Sequence, residues 1–586
     1  MLNLLNNLFR QENIVFDKKN SILVVGAGIS IPSGLPSGFS ILKDLLKWSN
    51  LECLLTFYKK MGGKIIKPIL GIVPDFIRYP RLEVLFFAIK TFFKKLKNYE
   101  AYRNMLKSLF SHGEPNYFHY LIANFLNQGG IVITSNFDLL IEKAYKKLFK
   151  TDVQKIAFPT SKEISVNQLK LENGLLIKYH GCISSIDKIG IDVENLELEG
   201  FNRRDRIILK EAFKDKKNII FIGSSLSDSL DFFPFIKQLK QNFKIFFFDY
   251  DSSCSKSYKI LKVNANELFK SSKLFSLYWF LNEKINYPVI VIKDKNNFIF
   301  KKFAEKYNFS LKAHQSSQVQ YQFPFLDSFT KKILKFYILK TMGLLTLASE
   351  QDIRKLKKQF YNNPTLKTIV DEIVYYWENI RGNYKYNLSR RKGKCEYLDS
   401  LVELVFYSDI NIIKRCIGYC IALVLSIICY NNWKRKKRNI KIFRSWFHFI
   451  LRNFYIFPSL SKIIKIDRLI KFQKELALYK KDIYLYRFSL KEEVKYLIKK
   501  KKIKEAKKKW KEAFVLSIDT DYFIETSNLL RLLYKETKDA MLRDTAIYMP
   551  CLTNDVLNLK KIKNYIKVKN LFEKKSGNNL EGKIYI

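Results

Sequence analysis

The run Gly26-Ala27-Gly28-Ile29-Ser30 follows directly on the apolar stretch Ile22-Leu23-Val24-Val25. A short β-branched run that ends in Gly-x-Gly is typical of a buried parallel strand. Such a strand leads into a tight turn, where glycine allows the backbone to approach a phosphate closely. The continuation, Ile31-Pro32-Ser33-Gly34-Leu35-Pro36-Ser37-Gly38, is too rich in glycine and proline for a regular helix. The pattern predicts a nucleotide-binding turn of an unusual kind.

Four further apolar runs end in small or polar residues. They are 130–133 before Thr134-Ser135-Asn136-Phe137-Asp138, 175–179 before His180-Gly181, 219–222 before Gly223-Ser224-Ser225, and 245–248 before Asp249. In an open α/β sheet, ligands bind beyond the carboxyl ends of the strands. We therefore expect an α/β fold, with a Rossmann-like parallel sheet in the N-terminal domain and a ligand crevice at this edge. Residues 287–292 predict one more strand.

The motifs GAGIS with GLPSG, TSNFD, HG and GSSLSD, in this order, resemble those of the sirtuin family over roughly residues 15–255. Gly113–His119, before a helix-like apolar run, is similar to the sirtuin-like domains of bacterial antiphage proteins. Those domains are described as NAD-consuming effectors, such as the enzyme of the Thoeris system. The resemblance implies a sirtuin-like domain that takes NAD+ as its substrate.

Two features of the sirtuin deacylases are missing from this sequence. The eight cysteines form no Cys-x-x-Cys pair, so we expect neither the usual four-cysteine zinc site nor any other metal site. The arginine that ends the deacylase cofactor loop is also absent, because Gly38-Phe39 is followed by Ser40. Both departures favour cleavage of NAD+ itself over reaction with an acyl-lysine.

Three residues are candidate catalytic groups. Nicotinamide leaves a cationic N-glycoside as a neutral base, so the enzyme must mainly hold the ribose, stabilise the developing positive charge and position a nucleophile. Asn136 would bind ribose hydroxyls or align water, and Asp138 would face the developing cation or brace the loop. His180 would accept a proton from water or a ribose hydroxyl. The alternatives are an Asx turn at Asn136 and Asp138, and a structural histidine at 180; we expect His119 to be a packed helix residue.

Ten residues are expected to contact NAD+. Ser30 and the backbone amides of 26–30 would face the pyrophosphate. Ser224 and Ser225 would contact the phosphate or adenosine side, and Asp249 or Asp251 the adenosine ribose. The predicted set is Gly26, Ala27, Gly28, Ser30, Pro36, Ser135, Gly223, Ser224, Ser225 and Asp249.

The positive charge is concentrated in the second part of the chain. Lys and Arg number 104 against 55 Asp and Glu in 586 residues, a formal net charge of +49. Residues 1–250 carry 36 basic and 24 acidic side chains, whereas residues 251–586 carry 68 and 31. We predict a sirtuin-like domain over 1–270 and a basic, mainly α-helical region over 271–586, with a sub-boundary near 345. Within that region, Ser489-Leu490-Lys491-Glu492 predicts a capping box that opens a helix running to Lys511.

The basic region has two interpretations. It could recognise a trigger, either nucleic acid, a phage-derived protein or a co-encoded partner protein. Alternatively, it is a solvated helical scaffold for a homo-oligomer. The uncharged segment 416–433 is near the lower length limit of a membrane span, but Asn431-Asn432 favour a buried helix. Met1–Arg10 has no signal-peptide pattern and the cysteines no disulfide pattern, so we expect a cytoplasmic protein.

Taken together, these features predict an NAD+ hydrolase that releases nicotinamide and ADP-ribose. By resemblance, its setting is antiphage defence, in which a trigger starts NAD depletion and abortive infection. One alternative is an NAD-dependent protein deacylase or ADP-ribosyltransferase. A second is a non-catalytic module that senses NAD or ADP-ribose.

Overall fold

The computed structural model describes residues 18–160, 174–192, 203–226, 232–239, 241–277, 288–306, 321–359, 364–380, 466–479 and 483–520. It also describes single residues and short stretches between 417 and 425 and between 523 and 552. The chain divides into two compact units, Met1–Ser328 and Phe329–Ile586. The boundary predicted at 270 lies inside the first unit, because the last strand of its sheet ends at Asp294.

The first unit is built on one sheet of eight strands in the order β3-β4-β2-β1-β5-β6-β8-β7. All neighbouring pairs are parallel except β7 and β8, which are antiparallel. The predicted α/β class is confirmed. The strands are β1 Ser21–Val25, β2 Ile131–Thr134, β3 Lys155–Ala157, β4 Leu175–Lys178, β5 Asn218–Ile222, β6 Lys244–Tyr250, β7 Tyr258–Val263 and β8 Val289–Asp294.

The central strands each contain a continuous apolar run because helices cover both faces of the sheet. On β1, Ile22 and Val24 belong to one hydrophobic core, whereas Leu23 and Val25 belong to the core on the opposite face. The helices of this unit are α1 Gly38–Trp48, α2 Cys53–Met61, α3 Lys67–Leu70, α4 Leu82–Lys95, α5 Tyr99–Phe110, α6 Tyr117–Asn127, α7 Leu140–Phe149, α8 Arg203–Phe213, α9 Phe232–Gln238, α10 Ala265–Lys270, α11 Phe275–Leu277 and α12 Phe298–Lys306.

The strand order contains a switch point between β1 and β5. From β1 the chain builds β2, β3 and β4 on one side, then returns to place β5 on the other side of β1. In open α/β sheets, ligands bind in a crevice at the carboxyl ends of the strands next to such a switch point.

The turn after β1 is irregular, as its glycines and prolines predict. Two short 3₁₀ turns, Ala27–Ile29 and Ile31–Ser33, follow the strand. Gly34 then takes a left-handed φ of 85°, and α1 begins at Gly38. Ser37 caps this helix, because its hydroxyl accepts a hydrogen bond from the Ser40 N–H at 3.1 Å.

The described part of the second unit is helical. Its helices are α13 Ser328–Thr341 (whose first residue belongs to the first unit), α14 Glu350–Gln359, α15 Pro364–Ile380, α16 Ile466–Tyr479, α17 Ile483–Lys499 and α18 Ile503–Asp519. The predicted capping box at 489–492 is wrong. Ser489 lies inside α17, fully buried, and its hydroxyl donates to the Leu485 carbonyl at 2.7 Å. The predicted helix to Lys511 also breaks, at Lys501, whose φ is 57°.

Among the described residues, no helix is long and apolar enough to cross a membrane. Most of the segment 416–433 lies outside the described residues. The buried helix predicted there stays a prediction.

Candidate functional site

The register of the sheet places six residues in one row along its carboxyl edge. Val25 pairs with Thr134 and Ile222, and the pairing continues to Lys178, Phe248 and Ile292. Counting two residues beyond each of these six paired positions gives six residues at the carboxyl edge, which we call the row. In spatial order the row is His180, Asn136, Ala27, Ser224, Tyr250 and Asp294.

One half of this row lines a cavity of about 880 Å³. Ala27, Ser224, Tyr250 and Asp294, which we call the open half, all contribute to its wall. The cavity lies at the switch point between β1 and β5, where the strand order places a crevice. Further lining comes from the start of α1 and from the segment 75–83, for which the sequence contains no recognisable motif.

The other half of the row is covered. Asn136 and His180, which we call the closed half, are only 5% and 8% exposed and do not line the cavity. The loop after His180 folds over the strand ends, because the Gly190 N–H donates to the His180 carbonyl at 2.7 Å and the Ile183 N–H to the Phe137 carbonyl at 2.9 Å. The His180 ring packs against Tyr179, with ring centres 4.3 Å apart.

Three glycines join the loops after β1 and β5. The Gly26 N–H donates to the Ile222 carbonyl at 3.0 Å, and the Gly28 N–H to the Gly223 carbonyl at 2.8 Å. A Cβ atom on Gly26 or Gly28 would lie 2.7 Å from the Gly223 carbonyl oxygen, and Gly223 itself has a φ of +62°. The glycine pattern is therefore required by the contact between the two loops, which we call the glycine joint.

Most of the backbone amides predicted to face a pyrophosphate donate within the protein. Besides Gly26 and Gly28, the Ile29 N–H donates to the Gly26 carbonyl and the Ser30 N–H to the Ala27 carbonyl, at 3.2 and 3.0 Å. Ala27 differs, since it begins a 3₁₀ turn, where the first N–H groups have no acceptor inside the turn. Ala27 is also an exposed residue of the cavity wall. It is the best placed of the five to meet a phosphate.

Ser30 is the centre of a buried polar cluster beneath the glycine joint. Its hydroxyl donates to Asp138 Oδ2 at 2.9 Å and accepts from Asn136 Nδ2 at 3.2 Å. Asn136 Nδ2 also donates to the Gly26 carbonyl at 3.2 Å. Asn136 Oδ1 is buried and has no hydrogen-bond partner in the structure. Because a buried acceptor without a partner is costly, this oxygen marks a position where a ligand hydroxyl or water would be stabilised.

His119 completes this cluster as a neutral ring. Its Nδ1 accepts from the Asn116 N–H at 3.1 Å, which assigns the proton to Nε2 and makes it a donor to Ser30 Oγ, 3.3 Å away. Complete burial lowers the pKa of His119 to about 3. As expected, this histidine is packed in a helix, but it also supports Ser30, which the sequence pattern did not indicate.

A buried ion pair holds the loop that carries Asp138. Lys178, at the end of β4, is 1% exposed and lies 2.9 Å from Glu142 of α7. Its ammonium also contacts the Asp138 carbonyl oxygen. Burial, the largest single effect, lowers the pKa of Lys178, but Glu142, Cys182 and Asp138 together outweigh it and the net pKa is raised. The pair fixes β4, α7 and the Asp138 loop relative to one another, and neither partner belongs to the motifs.

Two acidic residues near the far end of the row, Asp294 of the row and Asp249 next to Tyr250, differ in environment. Asp249 lines the cavity and forms an ion pair with Lys273. Asp294 is 1% exposed; its Oδ1 accepts from the Ile299 N–H at 3.1 Å, and its Oδ2 has no hydrogen-bond partner. Burial raises the pKa of Asp294 to about 6. Asp251, the alternative to Asp249, pairs with Lys293 at 2.9 Å and is absent from the cavity wall.

The structure brings only part of the predicted site together. Among the predicted residues that line the cavity are Ala27, Gly28, Gly223, Ser224, Ser225 and Asp249. The remaining residues, whose predicted roles stay predictions, are Gly26, Ser30, Pro36, Ser135, Asn136, Asp138 and His180.

Part of the first unit, including both residues of the closed half, matches a known protein family. Residues 130–265 match the SIR2-like domain family. The match begins just before β2, contains both residues of the closed half, and ends after β7. The first unit therefore carries a sirtuin-like domain, which is consistent with an NAD-related activity. No curated protein matches the chain.

Within the described ranges, no group of three or more His, Cys, Asp and Glu side chains is placed to hold a metal ion.

Proposed function

We propose that the SIR2-like domain hydrolyses NAD+ to nicotinamide and ADP-ribose. The observation that carries the proposal is the row along the carboxyl edge, because it aligns chemically different groups in the order that a dinucleotide requires. Asn136 and His180 lie at one end, Ala27 and Ser224 in the middle, and Tyr250 and Asp294 at the other end, where Asp249, next to Tyr250, also lines the cavity. The nicotinamide ribose, pyrophosphate and adenosine would occupy these three parts in turn.

In the reaction, a water oxygen bonds to C1′ of the ribose as the bond from C1′ to the nicotinamide nitrogen breaks. The bonding pair leaves on nicotinamide, and the water proton passes to His180. Asn136 Oδ1, which lacks an internal partner, would accept from the water or from a ribose hydroxyl. Asp138 is held by Ser30 and the Leu140 N–H, so we assign it to bracing the loop that carries Asn136.

The closed half supports an enzyme that is inactive at rest. With Asn136 and His180 buried beside the cavity rather than in its wall, a rearrangement must precede catalysis. An enzyme that destroys NAD has to be held silent until it is needed. We therefore place the protein in antiphage defence, as a cytoplasmic effector that depletes NAD after a trigger acts on its C-terminal region.

The same observation also favours a second candidate function. A cavity that excludes Asn136 and His180 is what a non-catalytic module for NAD or ADP-ribose would need. Such a module would bind NAD+ with no release of nicotinamide under any condition.

The test compares NAD content in cells that express the wild type, Asn136→Ala or His180→Ala, before and during phage challenge. We expect NAD to fall, and nicotinamide to appear, only with the wild type and only under challenge. Asn104→Ala and His112→Ala, which alter exposed residues, should behave as the wild type. Unchanged NAD in every strain, while purified protein still binds NAD+, would favour the sensor instead.

A further inference from the structure

One helix of the second unit has a strongly charged face that its neighbours do not neutralise. α17 and α18 are joined by residues 500–502. The buried side of α18 near this turn consists of Ala506, Trp510 and Ala513. The Trp510 indole N–H donates to the Leu529 carbonyl at 2.7 Å, which fixes the rotation of the helix.

Four exposed lysines occupy the opposite side of α18. At about 100° of rotation per residue, they fall within an arc of about 100° and extend about 10 Å along the axis. We call this set the lysine face, and Lys500 and Lys501 in the preceding turn extend it. Its helical members are Lys504, Lys507, Lys508 and Lys511.

The acidic residues of α18 lie to one side of the lysine face and are already paired. Glu505 contacts Lys502 at 3.0 Å, and Glu512 contacts Lys509 at 2.8 Å. In the described part of the chain, none of the four lysines of the face has an acidic partner within 4 Å. The face therefore presents its full positive charge to the solvent.

Another lysine-rich segment of the chain shows that lysines at this spacing do not always lack acidic partners. On α7 and at its C-terminal cap, lysines recur at the same sequence spacing, at positions 143, 146, 147 and 150. There Lys147 pairs with Glu114, Lys146 lies 3.2 Å from Asp152, and Lys143 donates to the Gly113 carbonyl at 3.3 Å. Within the described residues, two of the four lysines at α7 thus have acidic partners, whereas none of the four lysines of the lysine face has one.

The chemistry of the lysine face selects its partner. Lysine is a compact point charge that meets a phosphate without fixed geometry, whereas arginine forms planar two-bond contacts. The centres of protein interfaces are poor in lysine and rich in aromatic residues and arginine. The face contains no arginine and no aromatic residue. We propose that the lysine face binds the sugar–phosphate backbone of nucleic acid, without reading its sequence.

The test is binding of the full chain to a fluorescent 24-base-pair DNA duplex at several salt concentrations. If four phosphates are contacted, the logarithm of affinity should fall with log[salt] with a slope of about −3.6. The combined variant Lys504→Gln, Lys507→Gln, Lys508→Gln and Lys511→Gln should reduce the magnitude of that slope by about three to four. Glutamine keeps a high helix propensity, and circular dichroism checks the fold.

The matched control is Lys143→Gln, Lys146→Gln, Lys147→Gln and Lys150→Gln, which removes the same charge at the same spacing. It should leave the slope unchanged. The proposal would be overturned if the salt-dependence slope fell equally in both variants, or if it did not fall in the α18 variant.

Parallel assays identify the kind of polyanion. RNA duplexes and single strands of equal length show which nucleic acid binds best. Polyglutamate of equal charge tests for an acidic protein, and vesicles with phosphatidylserine test for a membrane. Tighter binding to either of these than to every nucleic acid would contradict the proposal. Because no NAD+ is present, the outcome is independent of the proposed hydrolase activity.

Discussion

The open and closed halves of the row have the same backbone register but opposite solvent access. On β1, β5, β6 and β8, the residue two positions beyond the common register line reaches a cavity. On β2 and β4, the equivalent residues Asn136 and His180 are buried and do not reach the cavity, and the loop after β4 bonds back to the carbonyls of His180 and Phe137. Strand position thus determines which groups can meet along one ligand, whereas the connecting loops determine whether they do.

The largest effect should come from the closed half. His180→Ala should lower the rate of NAD+ hydrolysis by about 10²–10⁴, the usual contribution of a positioned proton acceptor. NAD+ binding, measured by calorimetry, should stay nearly unchanged because the phosphate and adenosine contacts belong to the open half. His112→Ala is the control. Loss of binding together with hydrolysis would show that the two halves are not separable.

The glycine joint should produce the next largest effect. Gly28→Ala places a Cβ atom 2.7 Å from the Gly223 carbonyl oxygen, so we expect a loss of about 1–3 kcal/mol in the free energy of unfolding. Gly38→Ala is the matched control, since a Cβ there meets nothing within 4 Å. It should be neutral or slightly stabilising. Denaturant unfolding of both variants checks this. Equal stabilities would contradict the claim that the contact with Gly223 requires glycine at position 28.

A smaller, pH-dependent effect is expected at the far end of the open half. Since burial raises the pKa of Asp294 to about 6, the folded state holds a proton more tightly than the unfolded state. The contribution of protonated Asp294 to the free energy of unfolding is fully present below about pH 4 and is lost as the pH rises through 6. Asp294→Asn should therefore be more stable than the wild type at pH 7.5, by about 1–2 kcal/mol in the free energy of unfolding.

The two proteins should differ less as the pH falls towards 4.5. Asp251→Asn is the control, because hydrogen bonds from Ser253 and Lys293 lower the pKa of Asp251 to about 2. Its effect should not change between pH 4.5 and 7.5. A constant difference between the wild type and Asp294→Asn over this range would contradict the assigned pKa.

Sequence patterns predicted the central sheet well for a physical reason. A strand buried on both faces is a continuous apolar run, and β1, β2, β4, β5, β6 and β8 all follow this rule. β7 was not predicted, because it is a half-buried antiparallel edge strand in which lysines interrupt the apolar residues. β3, with three residues, is too short to carry a pattern.

The candidate site was harder to predict, because it depends on contacts between distant residues. The motifs indicated Ser30, Asn136 and Asp138 separately, but not that Ser30 would bond both others beneath the glycine joint. Nor could they show that a loop covers His180. The capping pattern at Ser489 was misleading because tertiary packing places this residue inside a buried helix. There its hydroxyl donates to the Leu485 carbonyl instead of capping a helix.

The backbone of Gly26 connects the loop after β5 to the side chain of Asn136. Its N–H is bonded to the end of β5, and its carbonyl oxygen to the Asn136 side chain. A displacement of the β5 loop would therefore be felt at Asn136 through a single residue, with no relay of side chains between them. Because Gly223, Ser224 and Ser225 of that loop line the cavity, a shift of the loop on ligand binding would also move the backbone carbonyl that holds Asn136.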